Sequence, residues 1–163
     1  MNDQPTKDAT QVALPTLEEI AQYSGLEFLQ AMQRGEMPPP PIALTLDYYL
    51  EEVEEGRVTF RGAPGYRAMN PIGAVHGGWF GTLLDSCMAC AVQSLLPKGR
   101  GYTTLEYKIN IIRPLTADAG EMRAIGTATH VGRRTGVADG QIVGVDDGKL
   151  YATGSTTCIV LDF

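Results

Sequence analysis

The longest apolar segment of this chain, residues 77–95, is long enough for a helix buried on most of its sides. Trp79, Phe80, Leu83, Leu84, Met88, Ala89, Ala91, Val92 and Leu95 recur through it at helical spacing. Almost everything after it reads as β. Thr104-Leu-Glu-Tyr-Lys-Ile-Asn-Ile111 alternates strictly and puts Leu105, Tyr107, Ile109 and Ile111 on one face. Strands are predicted over 120–130, 136–145 and 150–161, broken by Gly132-Arg-Arg-Thr-Gly136 and by the hairpin turn Asp146-Asp-Gly-Lys149. One buried helix with five or six largely antiparallel strands is an α+β architecture. The sheet must curl, because a single helix cannot cover a flat sheet that wide.

Upstream, residues 1–15 are polar and read as a loose tail. Thr16 opens a capping box with Glu19, and an amphipathic helix is expected over 16–34 with Gly35 as its stop. Pro38–Pro41 should be an extended connector. Strands are expected over 42–50 and 57–61, joined through the acidic turn at Gly56, followed by a Gly- and Pro-rich loop over 63–75. The division is thus 1–41 for tail, helix and connector, and 42–163 for the main domain.

With 44% apolar residues among 163, the chain can bury a core without metals or disulfides. No apolar run approaches the ~18 residues of a membrane span. The start, Met1-Asn-Asp-Gln-Pro-Thr-Lys-Asp8, lacks a signal peptide's basic and apolar regions. Three cysteines, an odd count, point to reduced thiols in the cytoplasm. The net charge of −6 argues against a nucleic-acid partner. Its distribution is uneven. Glu51, Glu52, Glu54 and Glu55 cluster early, while Lys98, Arg100, Lys108, Arg113, Arg123, Arg133 and Arg134 lie in the second half and could serve an anionic ligand.

The chemistry gathers around Asn70-Pro-Ile-Gly-Ala-Val-His76-Gly77-Gly78 and Asp85. A carboxylate on an apolar helix costs several kcal/mol unless something pairs or uses it. The N–H groups of Gly77 and Gly78 lie at the helix's positive end and suit a developing oxyanion. Turn-making is the plainer role for these glycines. His76 suits the holding of that loop, as a neutral ring, as well as it suits a general base. Asn70 can donate to a carbonyl or position a water, although Asn-Pro is also a common turn. Arg133 and Arg134, between Gly132 and Gly136, suit a phosphate or an ordinary solvated hairpin. Cys87-x-x-Cys90 falls inside the apolar helix, and with Cys158 and two histidines it supplies little for zinc, so core packing fits it best.

Gly77 and Asp85 are eight residues apart, roughly 12 Å along a straight helix at about 1.5 Å per residue. A reacting carbonyl must lie about 3 Å from both donor and attacking group. Either the helix breaks near Gly81, or the two groups come from different chains. The second option predicts a dimer with shared sites.

Asn70-Pro-x-Gly-x-x-His76-Gly77-Gly78-x6-Asp85, then Thr103-Thr104-x8-Arg113-Pro114, then Gly132-Arg133-Arg134, resembles the phenylacetate-pathway (PaaI-like) acyl-CoA thioesterases of the hot-dog fold. The resemblance covers about residues 40–161. It implies a long central helix wrapped by a curved antiparallel sheet, in homodimers that often pair into tetramers. It makes Asp85 the catalytic carboxylate, as nucleophile or as general base on water, and gives the Gly77 N–H the thioester carbonyl. Asn70 and His76 become loop positions that hold water or substrate. Thr104 becomes a hydroxyl near the carboxylate, with Thr103 beside it. The turn from His130 through Gly132, Arg133, Arg134 and Thr135 becomes the contact for the CoA nucleotide, and Gly78 and Arg113 complete the substrate-binding set.

The expected activity is therefore hydrolysis of acyl- or aryl-CoA to free acid and CoA, without metal or separate cofactor, since CoA is part of the substrate. A non-catalytic acyl-CoA-binding module would keep the basic turn but have no use for Asp85. A hydratase would need an Asp-His pair acting together, and His76 sits at the helix mouth. Trp79, Phe80 and Met88 fit core better than pocket.

Overall fold

The computed structural model describes residues 13–163. The tail expected over 1–15 therefore lies mostly outside the described residues. Four helices and six strands follow in the order α1 (Leu17–Ile20), α2 (Gly25–Gln33), α3 (Pro41–Leu46), β1 (Tyr48–Glu54), β2 (Arg57–Gly62), α4 (Gly77–Gln93), β3 (Arg100–Ile111), β4 (Met122–Val131), β5 (Thr135–Gly144) and β6 (Leu150–Asp162). The strands form one antiparallel sheet in the order β1-β2-β4-β5-β6-β3, curled around α4. This is the hot-dog arrangement, with β1 and β3 at the edges.

The N-terminal third departs from the expectation in two places. The helix expected over 16–34 is two helices. The Thr16–Glu19 box is present, but α1 ends at Ile20. A second box follows, in which Ser24 Oγ accepts the Glu27 N–H at 3.2 Å and Glu27 accepts the Ser24 N–H at 2.7 Å. Ser24-Gly-Leu-Glu27 satisfies the same capping rule as Thr16-Leu-Glu-Glu19 and restarts the helix. Gly25 is needed there, because a Cβ would lie 1.7 Å from the Gln93 carbonyl at the end of α4. Gly35, at φ +77°, ends α2 as expected.

The second departure is at the prolines. Pro40 is extended, but Pro41 is the first residue of α3, where a preset φ and a missing N–H cost nothing. The strand expected from Ile42 begins only at Tyr48. Asp47, left-handed at φ 55°, turns the chain out of α3.

The core depends on a contrast in size. The sheet's inner face carries Ala124, Gly126, Gly136, Ala138, Gly140, Ala152 and Gly154, while α4 supplies Phe80, Leu83, Leu84, Met88 and Val92. At Gly126 a Cβ would stand 2.1 Å from the Cys87 carbonyl, so helix backbone and strand backbone are nearly in contact. Gly126→Ala should therefore destabilise the fold by about 1–3 kcal/mol, with α4 forced off the sheet. Denaturant unfolding of the variant beside wild type checks this.

Candidate active site

Asp85 lies midway along α4 on the side that faces β3, not on the stripe that packs into the sheet. It is half-buried and accepts one hydrogen bond, from Thr104 Oγ1 to Oδ1 at 2.9 Å. Among the described residues no cation pairs with it. Burial pushes its carboxyl above the usual carboxylate range, and the Thr104 hydroxyl pulls part of the way back.

Thr104 reaches Asp85 because of a bulge. Strict alternation would set Thr104 on the opposite face from Tyr107 and Ile109. In the β3–β6 pairing Thr104 lies opposite Cys158 and Tyr107 opposite Thr156, with the register shifting between Thr104 and Glu106. Cys158 and Thr156 are both buried toward the helix. One extra residue around Leu105 reverses the alternation, so Thr104 and Tyr107 both face inward. Thr103 stays on the outer face, opposite Ile159.

At the other end of α4, His76 is the N-cap. Its Nδ1 accepts the Gly78 N–H at 2.9 Å. The Gly78 amide is thus occupied, whereas the Gly77 amide has no partner among the described residues. Asn70 staples the loop before α4, with Oδ1 accepting the N–H groups of Ile72 and Ala74 at 3.1 and 3.0 Å, and its side-chain N–H groups have no partner among the described residues. The helix runs unbroken through Gly81. Within one chain, Gly77 and Asp85 therefore stay roughly 12 Å apart.

The basic residues divide. Arg123 is committed to Glu51, at 2.6 and 2.8 Å. Arg113 donates to the Leu150 carbonyl, at the end of β3 far from the Arg133–Arg134 turn. In that turn the Gly132 N–H donates to the Thr135 carbonyl at 2.8 Å, and exposed His130 lies over Gly132. The side chains of Arg133 and Arg134 have no partner among the described residues. Arg100, which the sequence offered only as one basic residue among several, donates to the Arg133 carbonyl and pairs with Asp162 at 2.8 Å.

Three neighbouring cavities follow from this placement. A chamber of about 390 Å³ has Asp85 and Thr104 on its wall and is otherwise mainly apolar. A cleft of about 420 Å³ runs from Asp85 past Thr104 and Thr103 to Arg100. Arg100 also lines a recess of about 440 Å³ with Arg133 and Arg134. An electroneutral apolar group fits the first, and an anion fits the last. Arg100, Tyr102 and the residues of α2 that roof the chamber had no local signal in the sequence, since tertiary packing alone brings them to Asp85. Cys90 also borders the chamber, where burial pushes its thiol up to about 12 and keeps it from acting as a thiolate. Among the described residues no cluster of three His, Cys, Asp or Glu side chains is placed to hold a metal ion.

A sequence model of the thioesterase superfamily matches residues 72–151, from the His76 loop to the start of β6. A solved structure described as a thioesterase, phenylacetic acid degradation-related protein, from Ralstonia eutropha JMP134, is 31% identical. The match covers 81% of this chain and 98% of that one, with a TM-score of 0.73. A conserved protein from Pseudomonas aeruginosa is 32% identical over 74% of this chain and 93% of its own, with a TM-score of 0.68. A mutant phenylacetic acid degradation protein PaaI from Thermus thermophilus is 25% identical over 73% of this chain and 97% of its own, with a TM-score of 0.66. No curated protein matches. Fold and family define a thioester hydrolase. The chain belongs to the thioesterase superfamily and, within it, to the PaaI-like hot-dog thioesterases.

The Asp85 environment sets two pH effects. Thr104→Val removes a donor that favours the carboxylate, so the acid limb of kcat/KM should move to higher pH. A pH–rate series on both proteins checks this. The raised carboxyl also means that the folded state holds its proton to higher pH than the unfolded chain does. Stability from this group is greatest below the ordinary carboxylate value and declines as pH rises through the raised one. Asp85→Asn should therefore melt above wild type at pH 8, with the advantage vanishing toward pH 3, as read by calorimetry.

Proposed function

We propose that this protein hydrolyses acyl-CoA thioesters to the free acid and CoA, with Asp85 as the reacting carboxylate. The observation that carries the reading is that carboxylate itself: half-buried, free of any cationic partner among the described residues, and standing on the wall of an otherwise mainly apolar chamber. Thr104 occupies Oδ1, which leaves Oδ2 for chemistry. Oδ2 either attacks the thioester carbonyl, displacing CoA thiolate and leaving a mixed anhydride, or takes the proton from a water that attacks. Both routes use the same groups. Single turnover in oxygen-18 water separates them, since only the anhydride route can place label in Asp85.

The attacked carbonyl oxygen needs a donor, and the free amide of Gly77 suits it. One such donor is commonly worth about 2.7–4 kcal/mol. Because α4 is unbroken, that donor comes from a second copy of the chain. The surface of β3 supports this. It is an unpaired edge strand on which Leu105, Tyr107 and Ile111 are 58%, 46% and 47% exposed. We therefore assign a homodimer paired along β3, with dimers of dimers as a further state. His76 and Asn70 hold the Gly77 loop, and the free Asn70 amide faces substrate or water. Arg133 and Arg134, with Arg100, His130 and Thr135 around them, meet the CoA phosphates through charge-assisted bonds. Three free thiols, Cys87, Cys90 and Cys158, fit a reducing cytoplasmic compartment. No described helix is long and apolar enough to cross a membrane.

Asp85→Asn should abolish thiol release from acyl-CoA while a CoA ester still binds. Turnover equal to wild type would remove Asp85 from the reaction. Gly77→Pro deletes one N–H at the first helical position, where proline is tolerated. Mixing it with Asp85→Asn protomers should restore about a quarter of wild-type activity, since about half the dimers are mixed and each holds one intact site. No recovery after proven subunit exchange would refute the shared site. Arg133→Ala with Arg134→Ala should raise KM at least about tenfold with kcat little changed.

A further inference from the structure

The chamber beside Asp85 ends at a thin wall. Met32, Pro38, Pro40 and Phe60 line it, and the same four residues line a larger cavity of about 810 Å³ on the far side. We propose that Met32 is the stop that sets acyl length, so that the enzyme selects uncharged acyl groups of medium length. This rests on the Asp85 thioesterase reading and extends it to substrate class.

The wall has one adjustable member. Phe60 is buried in β2 and packed edge-on against Tyr48, with ring centroids 5.7 Å apart. Pro38 and Pro40 have fixed φ. Met32 is half-buried and unbranched, with three rotatable bonds. Its helix is pinned at both ends. The Gly25 N–H donates to the Leu96 carbonyl at 2.9 Å, and Gln33 Nε2 donates to the Glu51 carbonyl at 2.7 Å. The Met32 side chain therefore sets the depth of the chamber while the backbone behind it stays put.

The lining selects the acyl chemistry. Among the described residues, Asp85 is the one charged side chain on the chamber wall. A second carboxylate on the acyl group would lose its water there and meet no cation, beside an existing negative charge. Malonyl- and succinyl-type esters are disfavoured on that ground, and alkyl or aryl chains fit. Beyond the wall the lining is again mainly apolar, from Pro39, Ala43, Leu44 and Leu50, so a chain passing Met32 would meet further apolar surface.

The test measures thiol release from butyryl-, octanoyl-, palmitoyl- and succinyl-CoA by wild type, Met32→Trp and Met32→Ala. Wild type should favour octanoyl over palmitoyl and succinyl esters. Met32→Trp should cut kcat/KM for octanoyl-CoA by about tenfold or more and leave butyryl-CoA unchanged. Met32→Ala should raise palmitoyl-CoA by about tenfold. Ala89→Leu, which narrows the same chamber from α4, should repeat the Met32→Trp pattern and guards against a misfolded variant. Unchanged length profiles, or equal losses on every ester, overturn the proposal, as does preference for succinyl-CoA. Calorimetry with octanoate separates the two readings. Octanoate bound by wild type and lost in Met32→Trp, with no ester hydrolysed, would sink the hydrolase and keep the chamber. No octanoate binding in wild type, with octanoyl- and palmitoyl-CoA hydrolysed alike, would sink the ruler and keep the hydrolase.

Discussion

How closely α4 approaches the sheet decides what Asp85 can be. A helix lies against strands only as near as the side chains between them allow, and at the positions directly beneath α4 the central strands contribute mostly glycine and alanine. Gly126 sits under the Cys87 carbonyl, Gly140 and Gly154 under Met88 and Leu84, and Gly136 under Val92. The helix sinks into that trough and buries its large residues with few voids. Its flank is then brought level with β3, so that Asp85 meets a strand instead of water. The same depth lets α2 cross the end of α4 at Gly25 and roof the space beside Asp85.

What is legible in the sequence follows from which interactions are local. The period of 77–95, the turns at Gly56 and Asp146–Lys149 and the stop at Gly35 are set by residues close in the chain, and they stand where local rules put them. A single helix over 16–34 follows from the capping box at Thr16 alone, and the second box, at Ser24, divides it. A strand from Ile42 follows from apolar alternation alone, and Pro41, whose fixed φ starts a helix, overrides it. The bulge in β3 is a different case. No residue there announces it, and it exists only through pairing with β6. Without it the alternation read from Leu105, Tyr107, Ile109 and Ile111 would turn Thr104 away from Asp85. Family resemblance alone points to that hydroxyl contact, and local pattern argues against it.

Charge shows the same limit. A count of basic residues in the second half overstates the cations open to a ligand. Arg123 and Arg61 are absorbed by Glu51 on the β1–β2–β4 side of the sheet, which holds that carboxyl below its usual range. Among the described residues, the second-half arginines whose side chains make no hydrogen bond or ion pair are Arg133 and Arg134 of the Gly132–Gly136 turn. Arg100 spends one N–H on the Arg133 carbonyl and so braces the turn from beneath. Sequence identifies cations, but pairing decides which of them are open to a phosphate.

The separation between Gly77 and Asp85 gives the architecture its logic. A single chain holds a carboxylate raised by burial, an apolar chamber on one side of it and a basic recess on the other. The free amide suited to the substrate's carbonyl is at the far end of the same straight helix. A helix that bent to bring the two together would lift off the glycines beneath it and forfeit the core. In the proposed dimer, leaving α4 straight and borrowing the amide from a neighbour would keep both packing and chemistry, and an isolated protomer would have the carboxylate without its oxyanion donor. The exposed Leu105, Tyr107 and Ile111 lie on the strand that carries Thr104. Covering their apolar surface and completing the proposed site would therefore be one event. Association through β3 would drive out water at the moment the second amide arrives, when the carboxylate's raised affinity for protons becomes useful.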